Sequence, residues 1–139
     1  MTPPEEVVRR LAGDWLAKAA VDLLVCERLL GQGAAFFETV AFHAQQAAEK
    51  SLKALLVARQ VEFPKTHDIA RLVELVTLGD EPLAEALADA AELTPFGVEY
   101  RYPGEYAPVT AEAANACVSL ARKVHDEMSK QLSSEDVRP

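Results

Sequence analysis

The sequence predicts an all-α protein: an antiparallel helical bundle of two long and two short helices plus a long closing C-terminal helix. Three observations carry this. Apolar residues recur at steps of three and four through most of the chain, as in Val8, Leu11, Trp15, Ala19, Leu23, Cys26 and Leu30. Five of the six glycines, and the prolines, fall at the ends of such runs or between them. No window alternates apolar and polar residues between turn signals, so no strand is expected.

The first helix begins after Pro3-Pro4, where proline is tolerated, and ends near Gly31 and Gly33. The next run, Ala34 to about Gln60, lacks both glycine and proline and reads as a second long helix. Val40, Ala44, Ala47, Ser51, Leu52 and Leu55 mark its inner stripe, widened by Ala48 and Ala54. Phe63-Pro64 interrupts the pattern, because the residue before a proline is pushed out of helical geometry. Thr66 then reads as an N-cap, with Asp68 in the first turn of a short helix carrying Ile69, Leu72, Val73 and Val76. Gly79 stops it, and Pro82 opens a fourth helix carrying Leu83, Leu87, Ala90 and Leu93. Thr94 to Pro108 reads as an aromatic-rich structured loop. Thr110 caps the closing helix, whose inward positions are Ala114, Cys117, Ala121, Val124, Met128 and Leu132. One domain over 1–132 and a frayed tail over 133–139 are expected.

Composition narrows the function. A chain of 139 residues, half of them hydrophobic, can bury roughly two-thirds of the surface it exposes when unfolded. The formal net charge of −8 disfavours coating duplex DNA, which requires an accessible basic surface. The acidity is uneven, however. Residues 40–71 hold Lys50, Lys53, Arg59, Lys65 and Arg71 against Glu49, Glu62 and Asp68, a net +2 that leaves room for one phosphate-sized site. No apolar run approaches the ~20 residues that span a bilayer. The N-terminus lacks the order of a signal peptide, so a cytoplasmic location without membrane contact is expected. Cys26 and Cys117 read as packing thiols.

Within the second helix, His43, Gln46, Lys50 and Lys53 lie three or four apart and share one face. An imidazole, an amide and two ammonium groups in a row suit a phosphate or nucleotide; a solvated face would have the same spacing. Asp22 lies close to the apolar stripe of the first helix and needs a partner, with Lys50, Lys53 or Arg101 as candidates. His67 stands at a helix start, suited to a local hydrogen bond. His125, beside Asp126-Glu127, reads as a surface residue. Tyr100, Tyr102 and Tyr106 suit either stacking on a base or closing the bundle's end. No histidine pair has recognisable metal-ligand spacing, and no cofactor is expected.

The string Phe42-His43-Ala44-Gln45-Gln46-Ala47-Ala48-Glu49-Lys50-Ser51-Leu52-Lys53 resembles the HEPN family. Trp15-Leu16 with Asp22-Leu23, Thr66-His67-Asp68-Ile69, and Tyr100-Arg101-Tyr102-Pro103 agree with the same pattern, in order, over most of the chain. The resemblance implies a helical bundle that commonly forms a homodimer and often works beside a minimal nucleotidyltransferase in toxin–antitoxin-like pairs. Many members are ribonucleases that use an Arg followed, after four to six residues, by a His. Here Tyr106 stands where a His would follow Arg101, and a phenol is a poor base at neutral pH. The expected function is therefore non-catalytic binding of a nucleotide or RNA end through His43, Gln46, Lys50, Lys53, His67, Arg101 and Tyr102. A metal-independent ribonuclease with a non-standard Arg/His site and a pure docking module are the alternatives.

Overall fold

The computed structural model describes residues 4–98 and 107–136, and every described element is helical. Six α-helices follow in order: α1 (Glu5–Leu29), α2 (Phe37–Ala58), α3 (Ile69–Val76), α4 (Glu81–Ala86), the one-turn α5 (Pro95–Val98) and α6 (Ala111–Asp136). Short 3-10 segments at Ala34–Phe36 and Ala88–Leu93 precede α2 and α5. Among the described residues, no helix is long and apolar enough to cross a membrane.

Helix α2 is the central element, packed against both α1 and α6. Its apolar stripe is almost wholly alanine and leucine: Val40, Ala41, Ala44, Ala47, Ala48, Leu52, Leu55 and Leu56 are fully buried. Methyl-sized side chains bring neighbouring backbones close, and leucines fill the remaining space. Cross-helix contacts give the directions. Cys26 donates to the Val40 carbonyl, Asp22 meets His43 and Lys50, and Trp15 meets Lys53, so α1 runs antiparallel to α2. Arg122 reaches Glu27, and Arg59 donates to Gln131 Oε1 at 3.1 Å. Helix α6 is thus antiparallel to α1 and runs in the same direction as α2. The short helices α3 to α5 carry the chain back to make this possible.

Caps agree with sequence chemistry, with one correction. Asp80 caps α4 by accepting from Leu83 N–H, and Thr110 accepts from Ala113 N–H at the head of α6. The cap of α3 is Asp68, accepting from Arg71 N–H, rather than Thr66. Thr66 Oγ1 instead accepts from Asp68 N–H one turn earlier, a local competition typical of threonine before a helix. Gly79, at φ +78°, reverses the chain after α3 in a conformation that side chains resist.

Four further expectations change. Leu11 is 44% exposed, while Ala12 and Asp22 take inner places on α1. The second long helix starts at Phe37, after the 3-10 turn, and α6 continues to Asp136, beyond the expected end near Leu132. Pro95–Val98 forms a helical turn inside the stretch expected to be loop. Cys26 and Cys117 are buried free thiols, as expected for packing residues. Burial pushes them up to about 12 and about 11, leaving them protonated and inert.

Candidate functional site

Two buried carboxylates organise the polar side of α2. On α1, Asp22 accepts from His43 Nδ1 at 2.8 Å through Oδ1 and from Lys50 Nζ at 2.7 Å through Oδ2. Within α2, Glu49 Oε1 accepts from His67 Nδ1 at 2.8 Å and Gln45 Nε2 at 3.0 Å, while Oε2 accepts from Lys53 Nζ at 2.9 Å. Gln45 also donates to the His67 carbonyl, and its own Oε1 accepts from Gln46 at 2.7 Å. The amides of Gln45 and Gln46 thus both belong to the Glu49 cluster. No buried side-chain nitrogen or oxygen among the described residues lacks a partner.

An ionised carboxylate only accepts, so each imidazole must carry its proton on Nδ1. The second ring nitrogen, Nε2, makes no hydrogen bond among the described residues at either histidine. Burial pushes the Asp22 carboxyl upward, but the His43 and Lys50 hydrogen bonds and the Lys50 charge outweigh it, leaving a net downward shift. At Glu49 the same opposition holds: burial raises it, while bonds from His67, Gln45 and Lys53 bring it below its ordinary value.

The expected row is therefore sorted by depth. His43 and Lys50 show 28% and 24% of their side chains to solvent, and His67 shows 50%. Lys53 shows 11%, turned inward between Glu49 and the rings of Trp15 and Phe63, at 5.6 and 5.7 Å from their centroids. Gln46 is half-buried, its amide spent on Gln45. Arg101 and Tyr102, with Tyr100 and Tyr106, lie outside the described residues. His125 is 20% exposed and 3.8 Å from Asp126, less open than a surface position.

Most cations of the mildly basic segment are engaged by other residues of the protein. Lys50 and Lys53 serve the two carboxylates, Arg59 donates to the Val76 carbonyl and Gln131, and Arg71 pairs with Glu74. Gln45, Glu49 and Trp15 were not among the expected site residues. Gln45, Glu49 and Lys53 stand at successive four-residue steps, a readable hydrogen-bonding ladder. The reach of His67 back to Glu49 carries no local signal.

Gly97 of α5 sits directly against this cluster. A Cβ there would lie 2.6 Å from Gln45 Cδ and 2.8 Å from Nε2 and Oε1, so only glycine leaves the amide in place. Beside Lys50, a cleft of about 330 Å³ is lined by Leu11, Asp14, Trp15, Lys18 and Lys50. Among the described residues, no cluster of three His, Cys, Asp or Glu is arranged to hold a metal.

An all-α bundle whose central helix bears carboxylate-held His and Lys side chains in the FHAQQAAEKSLK string defines a class. The family model for the HEPN domain matches residues 12–132, and the chain belongs to that family. Among solved structures it is similar to ST0689, an archaeal HEPN homologue, at 28% identity and a TM-score of 0.70. That similarity covers 87% of this chain and 97% of the archaeal one. No curated protein matches.

Proposed function

We propose that this HEPN domain protein binds the phosphate of a nucleotide or RNA end without cleaving it. In this reading it acts as a homodimer beside a minimal nucleotidyltransferase, in a toxin–antitoxin-like pair. The observation that carries it is the Asp22 pairing: one buried carboxylate fixes His43 and Lys50 together, and both remain partly open to solvent. Lys50 supplies an ammonium donor, and His43 in its imidazolium form supplies an N–H donor at Nε2. Because Asp22 already orders both side chains, a phosphate would meet a preorganised pair. His67, held likewise by Glu49, offers a further Nε2, and Arg101 and Tyr102 join the site in this reading.

Calorimetric titration tests it, using a 5′-phosphorylated oligoribonucleotide against its unphosphorylated twin. Only the phosphorylated strand binds, and His43→Gln with Lys50→Gln abolishes the heat while the protein stays folded. Equal heat from both strands, or none from either, defeats the reading.

The carboxylate–imidazole geometry also favours a second reading, a metal-independent ribonuclease. A carboxylate on Nδ1 orients a histidine as a general base through Nε2. Cleavage of labelled RNA in the presence of chelator, lost in both His43→Ala and Arg101→Ala, would establish the enzyme over the binder.

A further inference from the structure

Helix α1 carries two stripes, and the bundle uses one. Val8, Ala12, Ala19, Leu23 and Cys26 face the core. A second row, Val7, Leu11, Asp14, Lys18, Val21 and Val25, repeats at alternating steps of four and three, the heptad spacing of a coiled-coil seam. At 3.6 residues per turn this row lies roughly 100° around the helix from the buried one. Leu11 is 44% exposed and Val21 59%, Asp14 and Lys18 are exposed, and Val7 and Val25 are half-buried at the ends. Among the described residues, neither Asp14 nor Lys18 has an ion-pair partner, although four-residue spacing would allow them to pair with each other.

The row is complementary to its own reverse. A chain reversal that sets Asp14 opposite Lys18 also sets Leu11 opposite Val21 and Val7 opposite Val25. Every apolar position then meets an apolar one, and each charge meets its opposite. That is the requirement of an isologous two-fold contact, in which residue i meets j and j meets i. We infer that this face of α1 is the surface through which two copies of the chain associate, as an antiparallel α1–α1 pair. The inference rests on the homodimer part of the proposed function.

The partner's helix beds beside the cleft of Leu11, Asp14, Trp15, Lys18 and Lys50, so the second copy covers apolar surface that one copy leaves open. Two symmetry-related Asp14–Lys18 pairs fix the register at the centre. The aliphatic layers on either side supply the burial.

Charge reversal tests the pairing. Asp14→Lys places only lysines at the centre of its own dimer, and Lys18→Asp places only aspartates. Each variant alone is expected to dimerise about tenfold or more weakly than the parent in sedimentation equilibrium, because like charges face each other. Mixed in equal amounts, the two variants restore every pair and form a heterodimer. Val21→Arg breaks an apolar layer without touching the charges and also yields monomer. Far-UV circular dichroism verifies that these exposed substitutions leave the helices intact. A monomeric parent, variants that dimerise as the parent does, or a mixture that stays monomeric overturns the inference. A dimeric parent indifferent to all three variants removes this interface while sparing the homodimer, and the phosphate reading is judged separately by its own titration.

Discussion

Removing Glu49 is the sharpest perturbation of the polar seam. Its carboxylate is 6% exposed and serves three donors, from Lys53, His67 and Gln45. Glu49→Ala leaves Lys53, itself only 11% exposed, as a buried cation without its counter-charge. Breaking a buried pair from one side costs about 3–5 kcal/mol, since the remaining ion keeps its desolvation penalty. The Trp15 and Phe63 rings retain some attraction for the ammonium, which favours the lower end, about 3 kcal/mol. For a domain with a total stability of about 5–15 kcal/mol, this is a large fraction. Thermal and urea unfolding followed by circular dichroism reads it as a fall in midpoint on the order of 10 °C. The paired variant Glu49→Leu with Lys53→Met removes both charges and fills the space with apolar groups. It recovers the part of the loss that comes from the unpaired charge, because the pair's attraction roughly offsets its own desolvation, while His67 and Gln45 stay without their acceptor. A Glu49→Ala cost below about 1 kcal/mol, typical of exposed pairs, refutes the buried-pair reasoning. So does a double variant as unstable as the single one.

Three other outcomes follow from the same contacts. Gly97→Ala drives a methyl group into the Gln45 amide and is expected to cost about 1–3 kcal/mol in urea unfolding; a neutral result would show that Gln45 moves freely. Asp22 and Glu49 have folded values below their ordinary 3.8 and 4.5. Their stabilisation is therefore present above those ordinary values and drains away as the pH falls through the depressed folded ones. Melting temperature should drop steeply below about pH 4.5, and Asp22→Asn should flatten that drop; an unchanged slope contradicts the linkage. Native Cys26 and Cys117 should react with a thiol reagent only at the rate of unfolding and both readily in denaturant, whereas fast native labelling would contradict their burial.

The three long helices and α3 were legible in the sequence because each depends on local signals, whereas the expected fourth helix ends at Ala86 and continues as a 3-10 segment over Ala88–Leu93. The run without glycine or proline gave α2, Gly79 ended α3, and Thr110 stood where α6 needed its cap. Leu11 escaped this logic. Its spacing fits the core stripe, yet it sits at the edge where α1 turns from α2 toward solvent, and periodicity alone does not place that edge. The seam was legible by half. Asp22 needed a cation, and Lys50 supplies it, but the same carboxylate also takes His43 from across the helix pair. Lys53 belonged to the same row as Lys50 on helical spacing. One turn further along, it finds Glu49 below it and two aromatic rings beside it, and it turns inward. The pairing of His67 with Glu49 depends on how the 59–68 connection folds back over α2, a tertiary fact without a local pattern.

The claim on which the functional account turns is that Asp22 holds His43 by Nδ1, beside Lys50, and leaves Nε2 for phosphate. Nitrogen-15 NMR of the imidazole rings addresses this directly. The account predicts a proton on Nδ1 of His43 in the free protein, and a shift of its Nε2 resonance when a 5′-phosphorylated oligoribonucleotide is added. A His43 protonated on Nε2 alone in the free protein, with no change on adding the phosphorylated strand, would contradict it.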